Sequence, residues 1–170
     1  AIPNGDEYDK DVARAIRYAV DNGAKIINGS FGKYFSSNPE WVIDAIRYAS
    51  ENNVLVIAAA GNESKDLDSL YNDNYPNDQF FNKDEFSDTF IKVGASSINL
   101  NENFTAYFSN YGKINVDIFA PGVDIYSSMP SNKYKSQSGT SMASPVVAGI
   151  ASLIFSYFPK LSAKKVKEII

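Results

Sequence analysis

Two kinds of hydrophobic segment follow one another along the first sixty residues of the chain. Over 9–22 and again over 39–49 hydrophobic positions recur every three or four residues, which is typical of amphipathic surface helices. Each of these segments is followed by a short apolar run, at 26–28 and at 54–60. The second run contains no polar residue and therefore predicts a strand buried on both faces. This alternation of helices and strands predicts an α/β fold with a parallel sheet flanked by helices.

The rest of the chain continues this pattern after one interruption. Residues 63–88 are rich in Asn, Asp, Tyr and Phe without periodicity, which predicts a long surface loop. Further strands are predicted over 90–95, 116–119 and 125–129. A long helix is predicted over 141–157, and because it is apolar almost all round we expect it to be buried.

Composition then narrows the functional classes. Of the 170 residues, 44% are hydrophobic and 21% are charged, which is ordinary for a globular protein of about one domain. No apolar run reaches the ~18 residues of a membrane span, and a net charge of −4 argues against a nucleic-acid partner. The sequence contains no Cys, which excludes disulfides and thiol nucleophiles. It also contains no His, which removes the commonest general base and metal ligand.

The first candidate for chemistry is the residue that ends the buried strand. Asn62 follows the run 54–60 directly after Gly61. Ligands of parallel sheets bind at the carboxyl ends of the strands, so the amide of Asn62 is placed to donate to a developing negative charge. The alternative is that Asn62 is a turn residue, since Asn is common in turns.

The second candidate is the serine at the start of the long helix. Ser141 follows Gly139 and Thr140 where that helix is predicted to begin. A helix N-terminus presents free N–H groups and the positive end of the helix dipole. A hydroxyl placed there therefore has its own backbone N–H available to hold an oxyanion. Taken alone, Ser141 or Thr140 could equally be a helix cap.

Five segments in order resemble landmarks of the subtilisin-like serine peptidases, the subtilases. Those at 139–145 and 58–63 are similar to the segments around that family's catalytic serine and oxyanion asparagine. The segment 22–32 is similar to the strand that forms a wall of its primary substrate pocket, and 108–112 and 120–122 match two further landmarks. The resemblance implies a three-layer, subtilisin-like α/β fold from which the N-terminal strands are missing.

The resemblance also implies an activity and assigns roles within residues 1–170, taken as the C-terminal portion of a catalytic domain. The activity is that of a serine endopeptidase that cleaves polypeptides through an acyl-enzyme. Ser141 is implied to be the nucleophile, and the Asn62 amide with the Ser141 N–H is implied to form the oxyanion hole. The main chain at 30–32 is expected to pair with extended substrate as an added strand. The residues implied to bind substrate are Ser30, Phe31, Gly32, Ala59, Ala60, Gly61 and Thr140.

The family's catalytic Asp and His lie upstream of the matched segments and have no counterpart here. A serine without a base is a weak nucleophile, so we expect the isolated chain to be inactive. Three interpretations stay open: part of an active endopeptidase, one chain of a split protease, or a non-catalytic binding or structural module of the same fold. A Ser–Lys dyad using Lys133 or Lys135 is conceivable but has no support in the family pattern.

Metal binding, association and localisation are less constrained. No cofactor is required, although the loop carboxylates are candidates for Ca²⁺, which takes several hard oxygen ligands. Their spacing fits no calcium-loop template and favours a solvated acidic loop. Missing strands would leave an open sheet edge, which favours self-association. The resemblance implies a parent that is secreted or attached to the cell envelope. The loop carboxylates are Asp73, Asp78, Asp84, Glu85 and Asp88.

Overall fold

The structure, a computed structural model, describes residues 7–79, 85–98 and 104–170. In these ranges helices and strands alternate over the first four elements, after which four further strands precede the last two helices. The helices are α1 (Asp9–Asp21), α2 (Pro39–Glu51), α3 (Thr140–Tyr157) and α4 (Ala163–Ile169). The strands are β1 (Ile26–Gly29), β2 (Leu55–Ala59), β3 (Phe90–Ser96), β4 (Ile118–Pro121), β5 (Ile125–Met129) and β6 (Lys133–Gln137).

Four of the strands form one parallel sheet in the order β1-β2-β3-β4. Helices α1 and α2 cover one face through a core that includes Ile16, Ile46 and Val56. Helices α3 and α4 cover the other face through a second core that includes Ile57 and Val147. Strands β2 and β3 are buried throughout, as strands between two helical layers should be, although only β2 is a continuous apolar run. The predicted three-layer α/β fold is confirmed.

The helix α3 differs from its prediction. Its Ala143, Val147 and Ala151 are buried against the sheet, whereas Leu153 is 62% exposed and Tyr157 is 78% exposed. Only one side of the helix is therefore covered, and the expectation that it is buried all round was wrong for the described residues. By length and composition α3 is also apolar enough to cross a membrane. Here its covered side packs on the sheet.

The strand predictions near the C-terminal half need two corrections. The strand predicted over 116–119 is observed two residues later, as β4, and Val116 instead packs into a small separate core. The strand β5 is present but does not join the parallel sheet, because it pairs antiparallel with β6. Both strands of this hairpin are mostly exposed, and their polar composition does not suit a position between two helical layers. The strand β6 was not predicted.

The predicted long loop carries no regular helix or strand in its described part, residues 63–79 and 85–88. It is attached to the fold by isolated bridges. Tyr75 pairs antiparallel with Lys33, and Asp66 pairs with Tyr111. These bridges place two parts of the loop beside the carboxyl end of the sheet, where the candidate site residues lie.

Candidate active site

The predicted site residues come together where β1 and β2 end and α3 begins. Ser141 is the second residue of α3, and its Oγ donates a hydrogen bond to the carbonyl oxygen of Ser30 over 3.1 Å. Ser30 follows β1 directly, and Asn62 lies just beyond the end of β2. Parallel strands end at one edge of the sheet, so residues far apart in sequence meet there. The two candidates for chemistry therefore lie at the same sheet edge.

Thr140 connects Asn62 to the helix that carries Ser141. The Asn62 Oδ1 accepts from the Thr140 backbone N–H over 2.8 Å and from the Thr140 hydroxyl over 3.0 Å. The same hydroxyl accepts from the Gly61 N–H over 3.0 Å, and Thr140 is completely buried. Because the Asn62 oxygen is occupied, its Nδ2 is the part of the amide that stays available for a ligand. Thr140 thus orients Asn62 rather than presenting a free hydroxyl.

Gly61 is required by the shape of this turn. Its φ is +99°, in a region that residues with a side chain rarely adopt. A Cβ at this position would overlap the Nδ2 of Asn110 and lie 2.8 Å from the Tyr34 hydroxyl. The absence of a side chain therefore lets the turn approach Asn110 closely enough to bond to it.

Asn110 organises this turn, and sequence reasoning did not assign it that role. It is completely buried. Its Nδ2 donates to the carbonyl of Ala60 over 2.7 Å and to the Tyr34 hydroxyl over 2.7 Å. Its Oδ1 accepts from the backbone N–H of Glu63 over 3.1 Å and of Lys65 over 2.9 Å. The resemblance marked the segment 108–112 only as a landmark, and nothing local indicated that its Asn bonds to residues about 45 positions earlier.

The predicted substrate walls are formed largely by main chain. Ala59 and Ala60 are 3% and 0% exposed, so their methyl groups belong to the core. Phe31 is half-buried and packs against the α1–α2 core, with its ring beside Gly29. Gly32 is exposed, and its Cα faces the carbonyl oxygen of Tyr75 closely enough that a Cβ would be 3.3 Å from it.

A second polar network connects the β1 wall to α3. Ser144, fully buried on the first turns of α3, donates to the Oδ1 of Asn28 over 2.5 Å. The Nδ2 of Asn28 in turn donates to the Ser30 Oγ over 2.9 Å. Ser30 is therefore held through its hydroxyl by Asn28 while its carbonyl accepts from Ser141. This network was not predicted either.

No base contacts the serine within the part of the chain that the structure describes. The one hydrogen bond of its side chain goes to a neutral carbonyl, which cannot take the proton. Lys133 and Lys135 lie on the exposed hairpin, and the ammonium of neither forms a hydrogen bond or ion pair with a described residue. The Ser–Lys dyad therefore has no contact in this arrangement.

The acidic loop is engaged with lysines rather than gathered around one point. Asp88 pairs with Lys164 over 2.7 Å, and Glu85 lies 3.5 Å from Lys167. Asp78 is buried, whereas Asp73 is exposed. Across 7–79, 85–98 and 104–170, no group of three or more acidic side chains converges on a metal position. The remaining candidate, Asp84, lies outside the described residues.

Comparison with known proteins decides the family. The model of the subtilase family, peptidase S8, matches residues 2–170. The chain belongs to the subtilase family. Among curated subtilases, it is 40% identical to Subtilisin DY of Bacillus licheniformis over 157 residues, covering 92% of this chain and 52% of that protein. It is 38% identical to thermitase of Thermoactinomyces vulgaris over 145 residues, covering 85% of this chain and 45% of that protein.

Solved subtilase structures resemble this one over nearly the whole chain. The structure titled "Sphericase" matches with a TM-score of 0.81 at 28% identity, covering 96% of this chain and 55% of that one. The structure titled "S41 Psychrophilic Protease" matches with a TM-score of 0.80 at 32% identity, covering 98% and 55%. This subtilase chain therefore spans about half the length of each of these four relatives. Curated relatives include both a cell wall-associated protease and a major intracellular serine protease of Bacillus subtilis.

Proposed function

We propose that this chain is the nucleophile-bearing, C-terminal part of a subtilisin-like serine endopeptidase domain. The observation that carries the proposal is the bond between Asn62 and the first residue of α3. It holds the amide oxygen on Thr140 and leaves the amide nitrogen available beside Ser141. A turn residue or a helix cap alone would not need this long-range pairing.

The proposed reaction is acyl transfer. The Ser141 oxygen attacks the scissile carbonyl, its proton passes to a base, and the carbon becomes tetrahedral. The Asn62 Nδ2 and the Ser141 N–H donate to the resulting oxyanion. Collapse of this intermediate expels the amine, which takes the proton back from the base, and leaves an acyl-enzyme that water hydrolyses.

The base must come from outside these 170 residues, because they contain no His. With its proton held on the Ser30 carbonyl, the Ser141 hydroxyl is not activated. In subtilisin itself, losing the catalytic His alone lowers kcat by about 2 × 10⁶. We therefore propose that the Asp and His are supplied by sequence upstream, or by a second chain.

The polypeptide substrate is proposed to bind along the segment that follows β1. Main chain at 30–32 pairs with an extended peptide as an added strand, and the small residues Ala59, Ala60 and Gly61 form the opposite wall for a substrate side chain. The small residues of that wall favour apolar substrate side chains. The parent is proposed to be secreted or attached to the cell envelope, as the cell wall-associated relative is by its name.

Labelling with a fluorophosphonate tests the catalytic part of this proposal. The isolated chain should label no faster than its Ser141→Ala variant. A longer chain that includes the coding sequence upstream should carry Asp-x-Gly and His-Gly-Thr segments, label at Ser141 and hydrolyse peptides. In that longer chain Asn62→Ala should lower kcat by roughly 10²–10³, the loss known for this donor in subtilisin. Rapid labelling of the isolated chain would contradict the proposal. An upstream sequence without those segments would contradict the upstream source of the Asp and His and leave only supply by a second chain.

We also propose that the isolated chain self-associates. Strand β1 is an edge of the described sheet, and Leu153 and Tyr157 expose apolar surface on α3. Unpaired strand edges and apolar patches both promote pairing between copies. Sedimentation velocity should show dimers or larger species that increase with concentration. A stable monomer across that range would rule this out.

A further inference from the structure

A charged side chain lies in the middle of the central sheet. Lys92 belongs to β3 and is 4% exposed. Its Nζ donates to the backbone carbonyl of Asn74 over 3.1 Å, to the Asn74 Oδ1 over 3.0 Å and to the carbonyl of Pro76 over 2.5 Å. A buried ammonium has three donors, and here all three have an oxygen. We call Lys92 with these acceptors the Lys92 cluster.

Two carboxylates favour the charged form of the Lys92 side chain without forming an ion pair with it within 4 Å. Asp78 and Asp117 both act on the ammonium electrostatically, and the Asp117 Oδ2 accepts from the Lys92 backbone N–H over 2.7 Å. Burial lowers the Lys92 pKa to about 8, which leaves the side chain mostly charged at neutral pH. Carbonyl, amide and carboxylate oxygens are the groups that hold hard cations in proteins. The ammonium occupies the position that a bound cation would have in such a set.

The acceptors of Lys92 lie next to the proposed substrate wall. Tyr75, between Asn74 and Pro76, accepts from the Lys33 N–H over 3.0 Å and donates to the Lys33 carbonyl over 2.8 Å. A Cβ on Gly32 would be 3.3 Å from the Tyr75 carbonyl oxygen and 3.4 Å from the Asn74 amide nitrogen. The segment held by the ammonium thus packs directly on the main chain proposed to bind peptide.

We propose that the Lys92 ammonium is a built-in cation that fixes the 74–76 segment and, through it, the Gly32 wall of the peptide-binding groove. Lys92 is then a positioning residue for substrate binding, because it acts on the peptide only through that segment. The substrate half of this statement rests on the proposed function. The structural half, that the ammonium fixes the segment, does not.

Hydrogen exchange tests the structural half without any peptide. In Lys92→Met, the amides of Lys33 and Tyr75 should exchange at least about tenfold faster, because the segment that pairs them has lost its anchor. The amide of Val56, which donates to Thr89 in the sheet, should keep its protection. The matched control is Lys164→Met, which removes an exposed lysine from an ion pair and should change neither rate. Unchanged exchange at Lys33 and Tyr75 in Lys92→Met would overturn the proposal.

Chemical rescue shows whether the cation itself matters. Lys92→Ala would open space next to a cavity of about 40 Å³ lined by Asn74 and Asp78, among others. Methylammonium should restore protection of the Tyr75 amide, whereas tetramethylammonium, which has no N–H donor, should not. Equal effects of the two ions would overturn the proposal. The variant Asn74→Ala serves if neither Lys92 variant folds, with or without methylammonium. Faster exchange of the Tyr75 amide in Asn74→Ala would support the proposal, and unchanged exchange would overturn it.

Peptide binding tests the substrate half. A fluorescein-labelled tetrapeptide ending in Phe, measured by anisotropy, should bind Lys92→Met roughly tenfold more weakly than wild type and Lys164→Met. Equal affinities of all three would overturn the positioning role while leaving the proposed function intact. A wild-type chain that binds no peptide would count against the proposed peptide groove and would overturn the role of Lys92 in substrate binding. Hydrogen exchange would still decide whether the ammonium fixes the 74–76 segment.

Discussion

Two loops border the candidate site, and each has a buried polar side chain of a different kind among the groups that attach it to the core. The turn 61–65 is held by the Asn110 amide, which both donates and accepts. The segment 74–78 is held by the Lys92 ammonium, which only donates. An amide satisfies carbonyls and N–H groups at once and needs no counter-charge. An ammonium must be balanced by carboxylates, so its attachment brings charge into the core.

This difference predicts that the two loops respond to different perturbations. The turn that carries Asn62 should be sensitive mainly to geometry, because its buried anchor, the Asn110 amide, does not titrate, although the Glu63 carboxylate also accepts from the Asn62 N–H over 2.8 Å. The segment beside Gly32 should be sensitive to pH, because Lys92 and Asp78 both do. The oxyanion side of the proposed site would then stay fixed under conditions that loosen the substrate wall.

The largest effect is expected from Asn110→Ala. The variant leaves the N–H groups of Glu63 and Lys65 and the carbonyl of Ala60 without their partner. Unsatisfied buried groups cost ~1–3 kcal/mol each, so the free energy of unfolding should fall by about 4 kcal/mol. Denaturant unfolding measures this loss. The control is Asn52→Ala, whose exposed amide donates only to the Tyr48 carbonyl one turn earlier. A similar loss in both variants would show that Asn110 is no special anchor.

A smaller loss is expected from Gly61→Ala. The new Cβ would overlap Asn110 and adopt an unfavourable φ, so unfolding should become easier by about 3 kcal/mol. Gly149→Ala is the matched control, because a Cβ there meets no atom within 4 Å and lies on a helix. That change should stabilise the chain by about 0.5–1 kcal/mol. Thermal unfolding of both variants would contradict the prediction if the two shifts had the same sign.

The pH dependence of stability should come from the 74–78 segment. Burial and like-charge repulsion from Glu85 and Asp117 raise the pKa of Asp78 from 3.8 to about 7, with partial compensation by Lys167. The folded state therefore binds more protons at Asp78 between these values, so the contribution of Asp78 to stability is greatest below pH 4 and falls as pH rises to about 7. We expect this fall to be on the order of 2 kcal/mol, and Asp78→Asn, neutral at every pH, should flatten it.

Urea midpoints measured at pH 4.5, 5.5, 6.5 and 7.5 would check this slope. Exchange of the Tyr75 amide should follow the same pH window in the wild type once intrinsic exchange is corrected for. Exchange in the turn 61–65 should not follow it. A slope that survives in Asp78→Asn would assign the titration to another group.

The smallest effect is expected at the exposed end of the loop. Lys164 and Asp88 form an ion pair over 2.7 Å, but both side chains are more than half exposed. Such pairs contribute ~0.2–1 kcal/mol and are screened by salt. Lys164→Met should therefore change the free energy of unfolding by less than about 1 kcal/mol, and 1 M salt should remove the difference. A loss comparable to that of Lys92→Met would remove the distinction between a buried and an exposed ammonium.

The parts of the fold that follow from local spacing were predictable. The stripes of α1 and α2 and the apolar run of β2 are each visible within one segment, because one buried side of a helix or strand constrains nearby positions. Only the first strand of the hairpin β5–β6 was predicted from the sequence. Its second strand is polar and exposed, and such strands have little hydrophobic signal. The exposed side of α3 could not be predicted, because the helix is apolar almost all round and no polar stripe marks the side that faces away from the sheet.

Sequence by itself determined the layered fold of this subtilase chain and the candidate roles of Ser141 and Asn62, because periodicity and motif segments are local. Only the tertiary structure decided what holds those residues. Asn110 bonds to a turn about 45 residues earlier, and Lys92 bonds to a loop 16 to 18 residues earlier. Nothing near either residue along the chain indicates which groups it bonds to. Their roles arise because folding buries them beside backbone groups that have no other partner, and burial makes each such bond costly to lose.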